Sequence, residues 1–230
     1  YAAGNDIIIN GTVNGDVWAM GRTIIINGAI NGAVTAAGQY VTLNGTVTRS
    51  ARIAGQVVIV SGSIKTDLIA FGATVDIGNK AKIGSDLIIA GGTVQIAGQI
   101  DGNIKGGVGE ATLSNSVGGN VKLDVDKLTI ASTASIQGNL DYTSENEAVI
   151  QSSAKISGKV TQIVPPPEER KGAQKATTAS GIAGAAVWKI LGFLMALVAG
   201  IIAIFTFRQK ITSMADAIKT NPLSSLGWGT

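Results

Sequence analysis

Residues 4–38 read GNDIIINGTVNGDVWAMGRTIIINGAINGAVTAAG. IIING recurs after 17 residues, and each copy is followed by a second Asn-Gly pair. With Gly4 as position 1, new coils begin at Gly21, Gly38, Gly55 and Gly72. After two extra residues the next begins at Gly91, and further coils start near Val108, Val125 and Glu145. About nine coils of 17–19 residues therefore fill residues 4–163. Self-similarity at a fixed period marks a stacked, quasi-one-dimensional fold.

Within a coil the apolar positions are 4, 6, 10, 14 and 16. Coil one supplies Ile7, Ile9, Val13, Val17 and Ala19, and coil two Ile24, Ile26, Ile30, Val34 and Ala36. Coil four supplies Val58, Val60, Ile64, Leu68 and Ala70, and coil six Val94, Ile96, Ile100, Ile104 and Gly106. Spacings of 2, 4, 4 and 2 do not fit a helix; alternation by two marks strands with one face inward. Corners fall at Asn10-Gly11, Asn27-Gly28, Asn44-Gly45 and Ser61-Gly62, and again at Asn14-Gly15 and Asn31-Gly32. Asn and Gly tolerate positive φ, the conformation expected of a tight corner. Asn-Gly is also a hairpin signal, but two such corners in phase with one period fit a coil of three short strands better. The insertions in IGNKAKIG and IASTASIQG fall at one corner, which leaves the inward set in phase. The expected fold is all-β, a parallel β-helix about 40 Å long at ~4.8 Å per coil.

Composition agrees. The 230 residues include 31 glycines and only 4% aromatics, which disfavours a globule packed around large rings. Cys and His are both absent, so no disulfide framework, thiol nucleophile or imidazole base is available. The net charge of +3 is scattered and points to no nucleic acid. The chain has no initiator Met and no N-terminal apolar run, so either a leader has been removed or the chain begins internally.

GTVNGDVWAMGRTIIINGAINGAV (residues 11–34) and AGGTVQIAGQIDGNI (residues 90–104) resemble the bactofilin-type, polymer-forming cytoskeletal repeat. GNLDYTSENEAVIQSSAKISGKVTQIVPPP (residues 138–167), with the apolar stretch behind it, looks like a membrane-anchored branch of that family. The resemblance covers nearly the whole chain. It implies a right-handed β-helix that polymerises through its ends, lies outside the cytoplasm, and accompanies a signal peptide and further transmembrane helices. On that reading the signal peptide is missing here and the chain stops short of another membrane segment.

Residues 164–186, beginning VPPPEERKGAQKATTAS, shift to proline and charge and read as a stalk. Residues 187–207, VWKILGFLMALVAGIIAIFTF, read as a transmembrane helix, since twenty-one residues span ~31 Å of bilayer. Trp188 and Lys189 suit one interface, and Arg208 and Lys210 the other. Gly192, Ala196 and Gly200 share a face on which another membrane helix could pack, or are the ordinary small-residue content of a span. Residues 208–230 hold a short amphipathic helix with Ile211, Met214 and Ile218 on one side. Counting Lys189, four Lys or Arg lie between the prolines and the start of the span and three follow it, a difference too small to choose an orientation.

Little points to chemistry. Asp6, Asp16, Asp67, Asp76, Asp86 and Asp101 fall at corners or outward positions. Asp67 and Asp86 occupy position 13 of successive coils, where two close carboxylates would raise one pKa or share a cation; a solvated surface is the plainer reading. GGVGE (residues 106–110) completes no phosphate-binding motif. No catalytic, cofactor or metal residues are expected, and the chain is not read as an enzyme. At position 5, Ile8, Ile25 and Ile59, with Thr42 among them, form an outward strip: a lateral contact site or merely β propensity. Thr12, Thr46 and Thr48 do not sustain an ice-binding array.

The expected function is a membrane-tethered structural scaffold. It would self-associate through strand edges at the ends of the coil stack, with Ile7, Ile9, Val13 and Val17 as the uncapped N-terminal edge. The expected partners are other copies, the lipid bilayer, and cell wall or another membrane protein. The alternative is a binding module that presents a rigid face to cell-wall glycan or a protein without polymerising.

Overall fold

Alternation at positions 14 and 16 and again at 4 and 6 favours extended chain on both sides of position 1, and the structure joins the two sides into one strand. The computed structural model describes residues 1–165. A broad wall is built from ten rungs in this spatial order: Ala2–Ile9, Val17–Ile26, Val34–Leu43, Ala51–Val60, Leu68–Ile77, Leu87–Ile96, Ile104–Leu113, Val121–Ile130, Leu140–Thr143 and Val160–Ile163. Val149–Ile150 adds a short strand against the eighth rung. A narrow wall stacks eight two-residue strands, from Ala29–Ile30 to Lys155–Ile156. Every pairing among these strands is parallel. The fold is a parallel β-solenoid of about ten turns.

Two expectations need correction. Each coil holds one long bent strand and one very short strand, not three short ones. The bend lies inside the long strand: Gly21 pairs with Gly38 and Thr23 with Tyr40, while Arg22 and Gln39 between them pair with nothing across the ladder. This unpaired residue shifts the alternation, so the inward set runs Val17, Ala19, Ile24, Ile26. The count is ten rungs rather than nine coils, because nine windings leave a rung at each end.

Ladder register follows the period residue by residue. Ile7, Ile24, Val41, Val58 and Val75 align at intervals of 17. The interval widens to 19 between Val75 and Val94, and to 20 between Leu140 and Val160. The first widening comes from a turn closed by Ala81 N–H donating to the Gly78 carbonyl at 2.9 Å. The same turn recurs with Ala134 on Ala131 and with Ala154 on Gln151. Ala81 and Ala134 are buried, so the added residues fill the bore instead of displacing it.

The bore is dry and aliphatic. Ile26, Val60 and Ile96 are buried, as is the narrow-wall column through Ile30, Val47, Ile64, Ile83, Ile100 and Val117. Each such side chain contributes roughly 1.5–3 kcal/mol when removed from water. In-register stacking puts inward side chains of successive coils against one another, so the core is one continuous cluster.

At the corners the expected backbone reason holds at one glycine and fails at the others. Among the described residues only Gly15 has positive φ, at 133°. Gly28 and Gly45 are needed for room: a Cβ on Gly28 would strike the Gly11 carbonyl, and one on Gly45 the Gly28 carbonyl. The asparagines have a separate task. Asn27 Nδ2 donates to Asn10 Oδ1 at 2.8 Å, and Asn44 Nδ2 to Asn27 Oδ1 at 2.9 Å, forming a ladder along the corner.

The stalk beyond residue 165, the transmembrane helix at 187–207 and the segment 208–230 lie outside the described residues, as do Trp188, Lys189, Gly192, Ala196, Gly200, Arg208 and Lys210. Among the described residues no helix is long and apolar enough to cross a membrane.

Candidate functional site

A solenoid offers two kinds of surface: its ends, where strand edges and the bore emerge, and its flanks, where outward columns run along the stack. At the N-terminal end, the first rung presents the outer edge of an eight-residue strand, Ala2–Ile9, whose other edge pairs with the second rung. The side chains there are less open than the sequence suggests. Ile7 is only 9% exposed and Val17 is also buried, while Ile9 and Val13 are half-buried against the core. The second coil already covers them from below.

Within residues 1–165 the C-terminal end is the more exposed of the two. Ile150 and Val160 occupy positions that are inward in earlier coils, and are 40% and 48% exposed. Their equivalents one coil below, Ile130 and Leu140, are fully buried. The ninth rung is also interrupted at residues 144–148. There the Asn146 side chain donates to the Asp126 carbonyl at 2.9 Å, and Ala148 N–H donates to the Tyr142 hydroxyl at 3.1 Å.

On the flank, ladder register aligns Ile8, Ile25, Thr42 and Ile59 in one outward column that ends at Asp76. Ile8 is well exposed; Ile25 and Ile59 are half-buried by their neighbours in the column.

The position-13 column is a chain of caps. Asp16 Oδ1 accepts from Ala33 N–H at 2.8 Å, and Asp67 Oδ1 from Asp86 N–H at 3.2 Å. Asp86, Asn103, Asn120 and Asn139 repeat the contact on Asn103, Asn120, Asn139 and Lys159 at 2.8–2.9 Å. A backbone N–H turned outward at the corner is thereby satisfied by the coil before it. Asp86 does not show the rise that two close carboxylates would bring. The Asn103 backbone N–H holds the Asp86 carboxyl below its ordinary value, against the opposing effect of burial; the Asn103 side chain and the Lys105 charge act in the same lowering direction. Among the described residues no cluster of three or more acidic side chains could hold a metal ion.

One flank went unremarked in the inward pattern. The first half of each rung turns positions 15 and 17 outward. Trp18, Arg52, Ile69, Ile88 and Lys105 lie in one column, and Met20, Ala54, Phe71 and Ala90 in the other. The same 17-residue period, read at its outward positions, would have found this face. A shallow groove of about 460 Å³ lies on the narrow wall, lined by Thr46, Thr48, Ser63, Lys65, Lys82 and Asp101. Among the described residues, the exposed ion pairs Arg22–Asp6 and Lys82–Asp101 link successive coils, and Arg49–Asp16 reaches from the third coil to the first, at 3.4–3.9 Å; each contributes at most about 1 kcal/mol.

No protein-family model, no curated protein and no solved structure matches this chain.

Proposed function

We propose that the chain is a structural scaffold: a membrane-tethered, right-handed β-solenoid that self-associates into a bactofilin-like polymer or cluster, with the solenoid outside the cytoplasm. The observation that carries this reading is the pair of solenoid ends within residues 1–165. The first rung offers a strand edge, and the last coil offers an apolar mouth at Ile150 and Val160. Strand edges template further strands, and a contact that joins one end to the other is open and propagates. The tether rests on the apolar stretch at residues 187–207.

The test is concentration-dependent assembly of the detergent-solubilised chain, followed by sedimentation and negative-stain imaging. Filaments or clusters are expected. Ile7→Lys with Ile9→Lys tests the N-terminal edge, and Ile150→Lys with Val160→Lys the C-terminal mouth; at least one pair must reduce assembly. Isolated rods at every concentration would overturn the scaffold and leave the binding-module reading. That second reading draws on the narrow-wall groove, whose hydroxyls, two lysines and one carboxylate suit a polyhydroxylated ligand such as cell-wall glycan. Retention of the chain on isolated cell wall, lost in Lys65→Ala with Lys82→Ala, would favour it.

A further inference from the structure

We propose that the outward face formed by the first halves of the second to seventh rungs docks on the surface of an anionic lipid bilayer. Apolar and cationic side chains share one column of this face, which reads Trp18, Thr35, Arg52, Ile69, Ile88 and Lys105. Lys122 continues the column on the eighth rung. Beside it run Met20, which is exposed, and Phe71, which is half-buried, with Ala37 and Ala54 between them. Trp18 is 52% exposed, and Met20 and Ile88 are exposed with it. Tyr1 leans on Trp18 with ring centroids 6.4 Å apart, which gathers two amphipathic rings at one end. Such rings favour the headgroup level, where an apolar body and a polar tip are both accommodated.

Charge segregates in the same sense. No acidic residue faces outward from the first halves of the second to seventh rungs; Asp124 and Asp141 enter only on the eighth and ninth. The acids of the stack lie elsewhere: Asp76 and Glu110 on the second half of their rungs, Asp101 by the narrow wall, and Asp16, Asp67 and Asp86 at the corner of the caps. A face with two cations, Arg52 and Lys105, no acid among its outward residues and exposed apolar tips at Trp18, Met20 and Ile88 complements a negatively charged surface with an apolar layer beneath it.

Size selects lipid over a protein partner. Six in-register rungs at ~4.8 Å and four residues at ~3.3 Å give a flat strip of roughly 300–400 Å². A standard protein interface needs about 800 Å² per partner, whereas an interfacial contact needs only a few anchors and basic residues. The face shares no residue with 187–207, so the inference does not rest on a span there.

Trp18 is the natural reporter. Trp188→Phe with Trp228→Phe leaves it as the sole tryptophan of the full chain. The chain is mixed with vesicles of phosphatidylcholine alone, or of equal phosphatidylcholine and phosphatidylglycerol, both with brominated acyl chains. With phosphatidylglycerol, Trp18 emission should shift to the blue and be quenched. Both effects should disappear in Arg52→Glu with Lys105→Glu and Lys122→Glu, and in phosphatidylcholine alone. A chain that stays with vesicles through alkaline extraction while Trp18 remains unquenched overturns the docking face but leaves the tether. Salt-reversible binding with quenched Trp18 does the opposite. Emission already blue-shifted without lipid assigns the face to a second copy and overturns the proposal.

Discussion

At the scale of the residue, stacking changes what a familiar motif means. In the first coil Asn10-Gly11 is an open corner, and a Cβ on Gly11 would meet nothing. One coil later the same two letters sit where a Cβ on Gly28 would collide with backbone. Gly11→Ala should therefore be nearly neutral, while Gly28→Ala and Gly45→Ala should each cost about 1–3 kcal/mol, read as a shift in urea midpoint. The caps give a second test. Asp86→Ala removes an acceptor from Asn103 N–H and should cost about 1–2 kcal/mol at neutral pH. Because Asp86 is held below its ordinary value, its ionised form stabilises the fold above the ordinary carboxylate range, and that stabilisation is lost as pH falls through the depressed value. Asp86→Asn keeps the cap oxygen without the titration, so the gap in urea midpoint between wild type and this variant should shrink on acidification.

At the scale of the element, the two walls carry unequal burdens. A rung of ten residues spreads its burial over four inward side chains and their glycine bend. A narrow-wall strand has two residues and commits only one inward, as in Lys82–Ile83. Ile83 packs between Ile64 and Ile100 in that column, with no slack on either side. Ile83→Ala should cost about 2–5 kcal/mol, while Lys82→Ala beside it should change stability by no more than about 0.5 kcal/mol; equilibrium denaturation measures both. The outward strip at Ile8, Ile25 and Ile59 belongs to this scale too, since alignment in one column is a property of register and not of any one isoleucine.

At the scale of the whole solenoid, each coil touches only its neighbours, so the ends are held by one interface and the middle by two. Amide exchange should reflect this. Protection should be greatest in the rungs Leu68–Ile77 and Leu87–Ile96, and should fail first at Val160–Ile163, whose four residues are all exposed. Faster exchange in the fifth rung than in the tenth would contradict nearest-neighbour stability. If assembly covers the C-terminal mouth, the tenth rung should gain protection as concentration rises, and this gain should vanish with Ile150→Lys and Val160→Lys.

The sequence by itself determined the period, the inward set and the corner that accepts insertions, because a stacked core demands the same apolar residue at the same phase in every turn. Ile26, Val60 and Ile96 were legible as bore residues for that reason. Only the tertiary structure decided why the corner glycines are there, which acid is a cap, and which end of the bore is the more exposed within residues 1–165. Those answers depend on what the adjacent coil places within a few ångströms, and identical letters at Gly11 and Gly28 have different neighbours. The Trp18 face was written in the same period, but its outward positions gain meaning only when register gathers Trp18, Arg52, Ile69 and Ile88 from four separate turns into a single plane.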